Sequence, residues 1–137
     1  MESYSEKVDA LRDKATSEFK TGNIEDAILN LQKAWTELPE PKYEKPESFL
    51  ISKSLVFVFN KIKEYEKSLD WAKKLMKSDL SRHDSGDREF MAGTVLYHLG
   101  RKDDARQYFD VANNKSEGRC FLGADKKEYK DFFKSKK

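Results

Sequence analysis

The chain has 137 residues, of which 38% are charged and 37% hydrophobic, and its formal net charge is +2. This composition is typical of one ordinary globular domain and excludes a disordered chain. The single cysteine, Cys120, excludes an internal disulfide bond, and the longest apolar run, Leu55 to Phe59, is too short to span a bilayer. The first residues also lack the basic segment and apolar stretch of a secretory signal. We therefore expect one cytoplasmic domain over residues 1–137.

Three stretches of the chain follow the same plan, in which two amphipathic helices are joined by a short turn. We predict these units at residues about 5–39, 47–80 and 86–114. The predicted turns are Thr21-Gly22-Asn23, Ile62-Lys63-Glu64 and Gly100-Arg101. Gly22 and Gly100 fit the position after a helix where a positive φ costs least. Repetition of the plan predicts an all-α solenoid built from stacked helix pairs.

The connections between the units contain helix-breaking residues. All three prolines lie in LPEPKYEKPES, between the first and second units. They exclude a continuous helix there and predict a loop, with Pro46 at the start of the next helix. The stretch SDLSRHDSGD separates the second and third units, and Asp84 or Ser85 is the expected cap of the following helix.

The C-terminal segment carries aromatic residues at helical spacing. Tyr129, Phe132 and Phe133 fall on one face of a predicted short helix at residues about 125–134. A repeat array needs a terminal element to cover its last face, so we predict that this helix is a cap. Its lysines either contact an acidic partner or nucleic acid, or are solvated and favoured by the helix dipole; we favour the solvated interpretation.

The three units resemble the tetratricopeptide repeat (TPR), a helix-turn-helix of about 34 residues with small and aromatic residues at fixed places. The first unit matches at Leu11, Ala15, Phe19, Gly22, Ala27, Leu31, Ala34 and Pro39. The third unit matches at Gly93, Leu96, Gly100, Ala105, Phe109 and Ala112. The second unit matches less well, because Lys63 and Ser68 stand where the pattern has glycine and alanine. The resemblance implies a TPR-like α-solenoid of three units followed by the capping helix.

In TPR proteins the first helix of each pair lines a concave groove. The resemblance therefore implies a protein-binding face on the first helices of this chain. Its predicted residues are Asp9, Arg12, Thr16 and Phe19 in the first unit, Leu50, Lys53, Phe57 and Asn60 in the second, and Phe90, Thr94, Tyr97 and His98 in the third. Aromatic and arginine side chains are the types that dominate binding at interfaces. For the three phenylalanines, partial burial in the core is an equally good interpretation.

In some TPR proteins the groove binds the carboxylates of chaperone tails. This clamp is built from Lys, Asn and Arg side chains. The corresponding positions in this chain are Arg12, Thr16, Ser54, Asp87 and Met91. Only Arg12 keeps the chemistry of the clamp, and Asp87 would repel a carboxylate. A chaperone adaptor of this type is therefore disfavoured.

The sequence contains no pattern of residues typical of catalysis or metal binding. His83 and His98 fall in different elements, without cysteine or carboxylate at ligand spacing. The acidic pairs Glu25-Asp26 and Asp103-Asp104 begin predicted helices, where the helix dipole favours negative charge. There is no phosphate-binding loop and no nucleophile elbow. We expect a protein that is not an enzyme and that uses no cofactor or metal.

A narrower resemblance covers residues about 27–133. Its motifs are Ala34-Trp35 with Leu38-Pro39-Glu40-Pro41-Lys42, and Phe121-Leu122-Gly123-Ala124-Asp125 with Tyr129 to Phe133. These motifs resemble those of small stand-alone bacterial TPR proteins. Such proteins belong to contact-dependent and other polymorphic toxin systems, in which they look like immunity proteins. This resemblance implies a bacterial protein that neutralises one cognate toxin domain by stoichiometric binding, like the antitoxin of a toxin–antitoxin pair. Acidic residues that would face a basic toxin are Asp9, Asp13, Glu18, Glu25 and Asp26.

Two other functions stay open. A general TPR adaptor would bind a peptide or helix of a partner protein in the groove. A nucleic-acid-associated module that uses the basic C-terminal segment is the weakest of the three, and we expect neither a nucleic acid nor a membrane as partner.

Overall fold

The computed structural model describes residues 3–79 and 85–135, and these ranges contain helices and no strand. The α-helices are α1 (Tyr4–Lys20), α2 (Ile24–Glu37), α3 (Pro46–Lys61), α4 (Tyr65–Lys77), α5 (Asp87–His98), α6 (Lys102–Ser116) and α7 (Lys127–Ser135). Three short 3₁₀ helices lie at Lys42–Glu44, Arg119–Phe121 and Ala124–Lys126. The predicted all-α fold of three helix pairs and a C-terminal helix is confirmed.

The helices begin where the local sequence satisfies their first backbone N–H groups. At α1 the Ser3 hydroxyl accepts from the Glu6 backbone N–H (3.2 Å), and the Glu6 carboxylate accepts from the Ser3 N–H (3.0 Å). Pro46 is the first residue of α3, as predicted. The expected cap of α5 takes a different form. Gly86 holds the cap position at φ +83°, and the Ser85 hydroxyl accepts from the Asp87 N–H (3.2 Å), whereas Asp84 lies outside the described residues.

The turns within the three pairs share one backbone geometry. Gly22 and Gly100 have φ values of +87° and +83°, in the left-handed region that the sequence predicted for them. Lys63 holds the equivalent position in the second pair at φ +63°. Because a side chain is strained in this region, the second turn is less favourable than the other two.

Small residues allow the paired helices to approach closely. Ala27 and Ala105 are fully buried between helices. Gly93 faces the ring of Phe109 so closely that an added Cβ would lie 2.6 Å from the nearest ring atom. Ser68, which replaces the alanine of the pattern, is also buried, and its hydroxyl donates to the Glu64 carbonyl oxygen (3.3 Å). The polar substitution is therefore accommodated by a local hydrogen bond.

The proline-containing loop is fixed to the end of α2 and to the residues that follow α4. The Lys42 ammonium group donates to the carbonyl oxygens of Trp35 (3.0 Å) and Leu38 (2.7 Å) at the end of α2. A cation at this place also complements the helix dipole. The Tyr43 carbonyl oxygen accepts from the Asp79 N–H (2.7 Å), so the loop contacts the end of the next pair.

The link between the second and third pairs depends on a buried arginine that the sequence analysis did not single out. Arg88, in the first turn of α5, donates to the carbonyl oxygens of Ser78 (2.7 Å) and Asp79 (2.8 Å) just after α4. These bonds hold α5 against the end of α4.

Across the described ranges, no helix combines the length and the apolar character needed to cross a bilayer.

Candidate protein-binding groove

The first helices of the three pairs line a cavity of about 560 Å³. Its walls come from α1, α3 and α5, and the segment between α6 and α7 closes one end. The predicted groove residues on its surface are Arg12, Thr16, Phe19, Leu50, Lys53, Phe57 and Phe90. All five positions that correspond to the carboxylate clamp also line it: Arg12, Thr16, Ser54, Asp87 and Met91. These positions, which the alignment of the three units predicted for the groove, therefore surround one cavity.

A pair of aromatic rings, one exposed and one half-buried, lies on the wall of the groove. Phe57 on α3 is 44% exposed, and the centre of its ring lies 5.6 Å from that of Phe19 on α1. The Lys61 ammonium group lies 5.5 Å from the centre of the Phe57 ring. A large exposed aromatic side chain beside a cation is typical of interface residues.

Phe90 belongs to the floor of the groove and to the core at once. It is only 7% exposed, and its ring contacts the rings of Phe109 (5.5 Å between centres) and Phe121 (5.7 Å). Partial burial in the core, which the sequence left open for the three phenylalanines, is therefore found for Phe90, whereas Phe57 is exposed.

Two predicted groove residues bind each other instead of lining the cavity. Thr94 is 3% exposed, and its hydroxyl donates to the Met91 carbonyl oxygen (2.6 Å). The same hydroxyl accepts from the side-chain amide of Asn60 (3.1 Å). These bonds join α3 to α5, so both polar groups serve helix packing.

Tyr97 and His98 are also placed differently from the prediction, because α7 covers them. The Tyr97 hydroxyl donates to the Glu128 carboxylate (2.9 Å), and 2.7 Å separates His98 Nε2 from the Tyr129 hydroxyl oxygen. The His98 ring also stacks on that of Tyr65, with 4.5 Å between centres. The capping helix therefore occupies the surface that these side chains were expected to offer a partner.

Burial of this cluster changes its acid–base behaviour. Burial lowers the pKa of the His98 imidazole, Lys102 and Lys63 lower it further, and Glu128 acts in the opposite direction. Burial, with a smaller effect from Glu128, raises the pKa of Tyr129 to about 12. Both pKa shifts favour the neutral imidazole of His98 and the neutral phenol of Tyr129 at the contact between α5 and α7.

The charged residues of the groove are largely compensated. The Lys53 ammonium group lies 3.3 Å from the Asp87 carboxylate, which removes the conflict expected of an unpaired aspartate. Asp9 lies outside the cavity lining, where its carboxylate is 3.6 Å from the Arg12 guanidinium group. Arg12 Nε is buried and has no hydrogen-bond partner.

One end wall of the groove was not predicted from the sequence. Cys120, Asp125 and Lys126 line the cavity, but they belong to the segment that runs from α6 back to α7. Burial raises the pKa of the Cys120 thiol, which makes this cysteine less reactive. Gly118 and Gly123 were the signal in the sequence that the chain turns sharply here. Both have positive φ values (+84° and +108°).

The described residues contain no group of three or more His, Cys, Asp or Glu side chains that could hold a metal ion. His83, the second histidine considered in the sequence, lies outside the described residues.

A comparison with solved structures finds the same fold in the C-terminal TPR-containing domain of an FK506-binding protein from Plasmodium falciparum. The TM-score is 0.65, the sequence identity is 18%, and the match covers 95% of this chain and 97% of that one. At this identity the likeness shows the fold, which is a TPR-like all-α solenoid. A scan against protein-family models and a search of curated proteins find no match.

Proposed function

We propose that this chain is a protein-binding module that holds a segment of a partner protein in the groove between α1, α3 and α5. The observation that carries the proposal is the pair of an exposed Phe57 and a half-buried Phe19 on the wall of a cavity of about 560 Å³. The likeness to a TPR-containing domain supports it, because stacked helix pairs present their concave face to ligands.

The composition of the groove also supports a protein ligand. Apolar side chains form its walls, and a few charged groups stand among them. Cavities of this size and mixture bind ligands through apolar contact, while the polar groups fix orientation. Phenylalanine and arginine are among the residue types that are enriched in protein–protein interfaces.

The proposal is tested by comparing two exposed apolar residues, one inside the groove and one outside it. Phe57 lies in the groove, and Val111, which is 41% exposed, lies on α6 outside the cavity lining. Tagged wild-type protein, Phe57→Ala and Val111→Ala would be used to capture partners from native extracts, with quantitative mass spectrometry. We expect Phe57→Ala to lose the main partner by about 30-fold, which corresponds to about 2 kcal/mol, and Val111→Ala to retain it. Equal retention by both variants would contradict binding in the groove.

The finer hypothesis is that the partner is a toxin domain, which this protein neutralises in the bacterial cytoplasm as an immunity protein. It is supported by the resemblance of the loop after α2 and of the segment that leads into α7. Acidic side chains on the first pair supply a surface for a basic toxin. The alternative is an adaptor that holds a peptide or helix of a non-toxic partner in the same groove.

Co-expression separates these two possibilities. A toxin gene found beside this gene would be expressed in cells with and without the chain, and growth would be followed. An immunity protein restores growth and is isolated as a complex of one toxin domain and one chain. Persistent killing, despite abundant folded protein, would exclude immunity against that toxin and leave the adaptor.

A further inference from the structure

The two sides of the groove carry side chains in register along their helices. On α1, Arg12, Thr16 and Phe19 recur at intervals of four and three residues, so they share one face. On α3, Leu50 and Phe57 have the same separation as Arg12 and Phe19. At 1.5 Å per residue this separation is about 10 Å along the helix axis. The pair of Phe57 and Phe19 thus lies about 10 Å from the level of Arg12, measured along the helix axes.

Arg12 differs from the other arginines of the described ranges because its guanidinium group donates no hydrogen bond there. Arg88, Arg106 and Arg119 each donate at least one guanidinium hydrogen bond, and Arg101 donates two to Asp104. In the same ranges, Arg12 has only the ion pair with Asp9 at 3.6 Å, which is too long for a hydrogen bond. Its buried Nε has no partner. The side chain as a whole is 29% exposed and lines the cavity, so a carboxylate in the groove would add a charge-assisted hydrogen bond to this arginine.

Two further cations line the cavity beside Arg12. The Lys53 ammonium group donates to the Asp87 carboxylate (3.3 Å), and the Lys126 ammonium group lies 5.6 Å from the centre of the Phe90 ring. Among these three cations, and within the described residues, Arg12 has neither a hydrogen-bonded carboxylate nor an aromatic ring beside it. A segment with an acidic side chain at the level of Arg12 matches this arrangement.

An extended ligand matches the distance of about 10 Å between the two sites. A polyproline-II segment rises about 3.1 Å per residue and repeats every three residues, so positions three apart share a face and lie about 9 Å apart. This spacing matches that of the two sites.

On the basis of the proposed function, we propose that the groove recognises an extended segment of a partner protein with one acidic and one bulky apolar side chain, three positions apart. The acidic side chain binds Arg12, and the apolar side chain packs on Phe57 and Phe19. The inference rests on groove binding and specifies the chemistry of the partner.

A displayed peptide library tests this inference on the full chain. Random peptides fused at their C-terminal end to a phage coat protein offer internal acidic side chains but no free terminal carboxylate. They would be selected against the wild type, Arg12→Glu, Phe57→Ala and, as a matched control on the surface outside the groove, Arg119→Glu. Circular dichroism and thermal unfolding would verify that each variant is folded.

We expect the wild type and Arg119→Glu to enrich peptides in which Asp or Glu lies three positions from Trp, Phe, Leu or Met. Arg12→Glu should enrich Lys or Arg at the acidic position, and Phe57→Ala should enrich nothing. A synthetic peptide with the enriched sequence and an amidated end should bind Arg12→Gln at least tenfold more weakly than the wild type. That loss should disappear when the peptide's own acid is replaced by its amide, because the charged partner is then already missing.

Two contrary results have different meanings. Peptides that require Phe57 but show no acidic preference, or that bind only with a free C-terminal carboxylate, would overturn this inference and leave groove binding intact. A folded wild-type protein that enriches no peptide at all would count against peptide binding in the groove, and so against the proposed function as well.

Discussion

Gly93 lies inside α5, where a single methyl group would strike the core. A Cβ at this position would lie 2.6 Å and 2.7 Å from two atoms of the Phe109 ring, whereas carbon atoms normally approach to about 3.5–4.0 Å. The Phe109 ring cannot move aside easily, because it is 0% exposed and contacts the rings of Phe90 and Phe121. Gly93→Ala therefore introduces a steric conflict inside a packed cluster.

Two opposing effects determine how much Gly93→Ala changes the free energy of unfolding. Overpacking of a core costs about 1–3 kcal/mol, and two contacts under 3 Å place this site in the upper half of that range. Alanine in place of glycine in a helix returns about 1 kcal/mol. We expect Gly93→Ala to lower the free energy of unfolding by about 1–2 kcal/mol net. In a domain of this length, that corresponds to a fall of roughly 3–8 °C in Tm.

Urea unfolding followed by circular dichroism measures this change, and a second substitution isolates its cause. Phe109→Leu alone leaves a void, but combined with Gly93→Ala the new methyl group fills part of it. We expect the double variant to be at least about 1 kcal/mol more stable than the sum of the single changes predicts. Ala10→Gly, at an exposed position of α1, calibrates the helix-propensity effect alone. A Gly93→Ala variant that is stabilised, or that shows no coupling to Phe109→Leu, would refute the close approach of α5 and α6.

Three further predictions concern the turns, the cap and the loop. Lys63→Gly should raise the free energy of unfolding by up to about 1 kcal/mol, because Lys63 is held at φ +63°. Gly22→Ala should lower it by about as much through conformation alone, since no atom lies within 4 Å of the added Cβ; urea unfolding of both variants tests the pair. Because burial lowers the pKa of His98, the folded protein binds this proton less readily than the unfolded chain, so stability should fall as the pH drops below about 6.5. His98→Gln should reduce this dependence of stability on pH, as measured by urea unfolding at a series of pH values. An unchanged pH dependence would contradict the buried contact with α7. Lys42→Ala should cost about 1 kcal/mol by removing the hydrogen bonds to the end of α2, and a neutral effect in thermal unfolding would show that this lysine is merely solvated.

The helix pairs were predictable because local rules and packing rules agree in them. Gly22 and Gly100 mark turns whose left-handed backbone favours glycine, and Pro46 can begin a helix but not continue one. The small residues Ala27 and Ala105 recur where two helices approach each other. Each of these signals lies within one repeat, so it can be read from a short stretch of sequence.

The groove was predictable only in part, because its composition depends on contacts between repeats. The repeat pattern placed Phe57 and Arg12 on the groove side of their helices. It did not show that Thr94 would bond to Asn60, since that bond depends on the distance between α3 and α5. It also assigned Tyr97 to the open face, although α7 covers it. The path of the chain after α6 decides this, and no repeat pattern describes that segment.

Site-specific photo-crosslinking tests the central claim, that a partner lies in the groove, most directly. A benzoylphenylalanine would replace Phe57 in one variant and Val111, outside the groove, in another, and each would be irradiated in extracts that contain the partner. Our account predicts that the variant with the probe in place of Phe57 crosslinks to one segment of one partner protein, and that the variant with the probe in place of Val111 does not. Crosslinking from the position of Val111 alone would contradict the account and place the binding surface outside the groove.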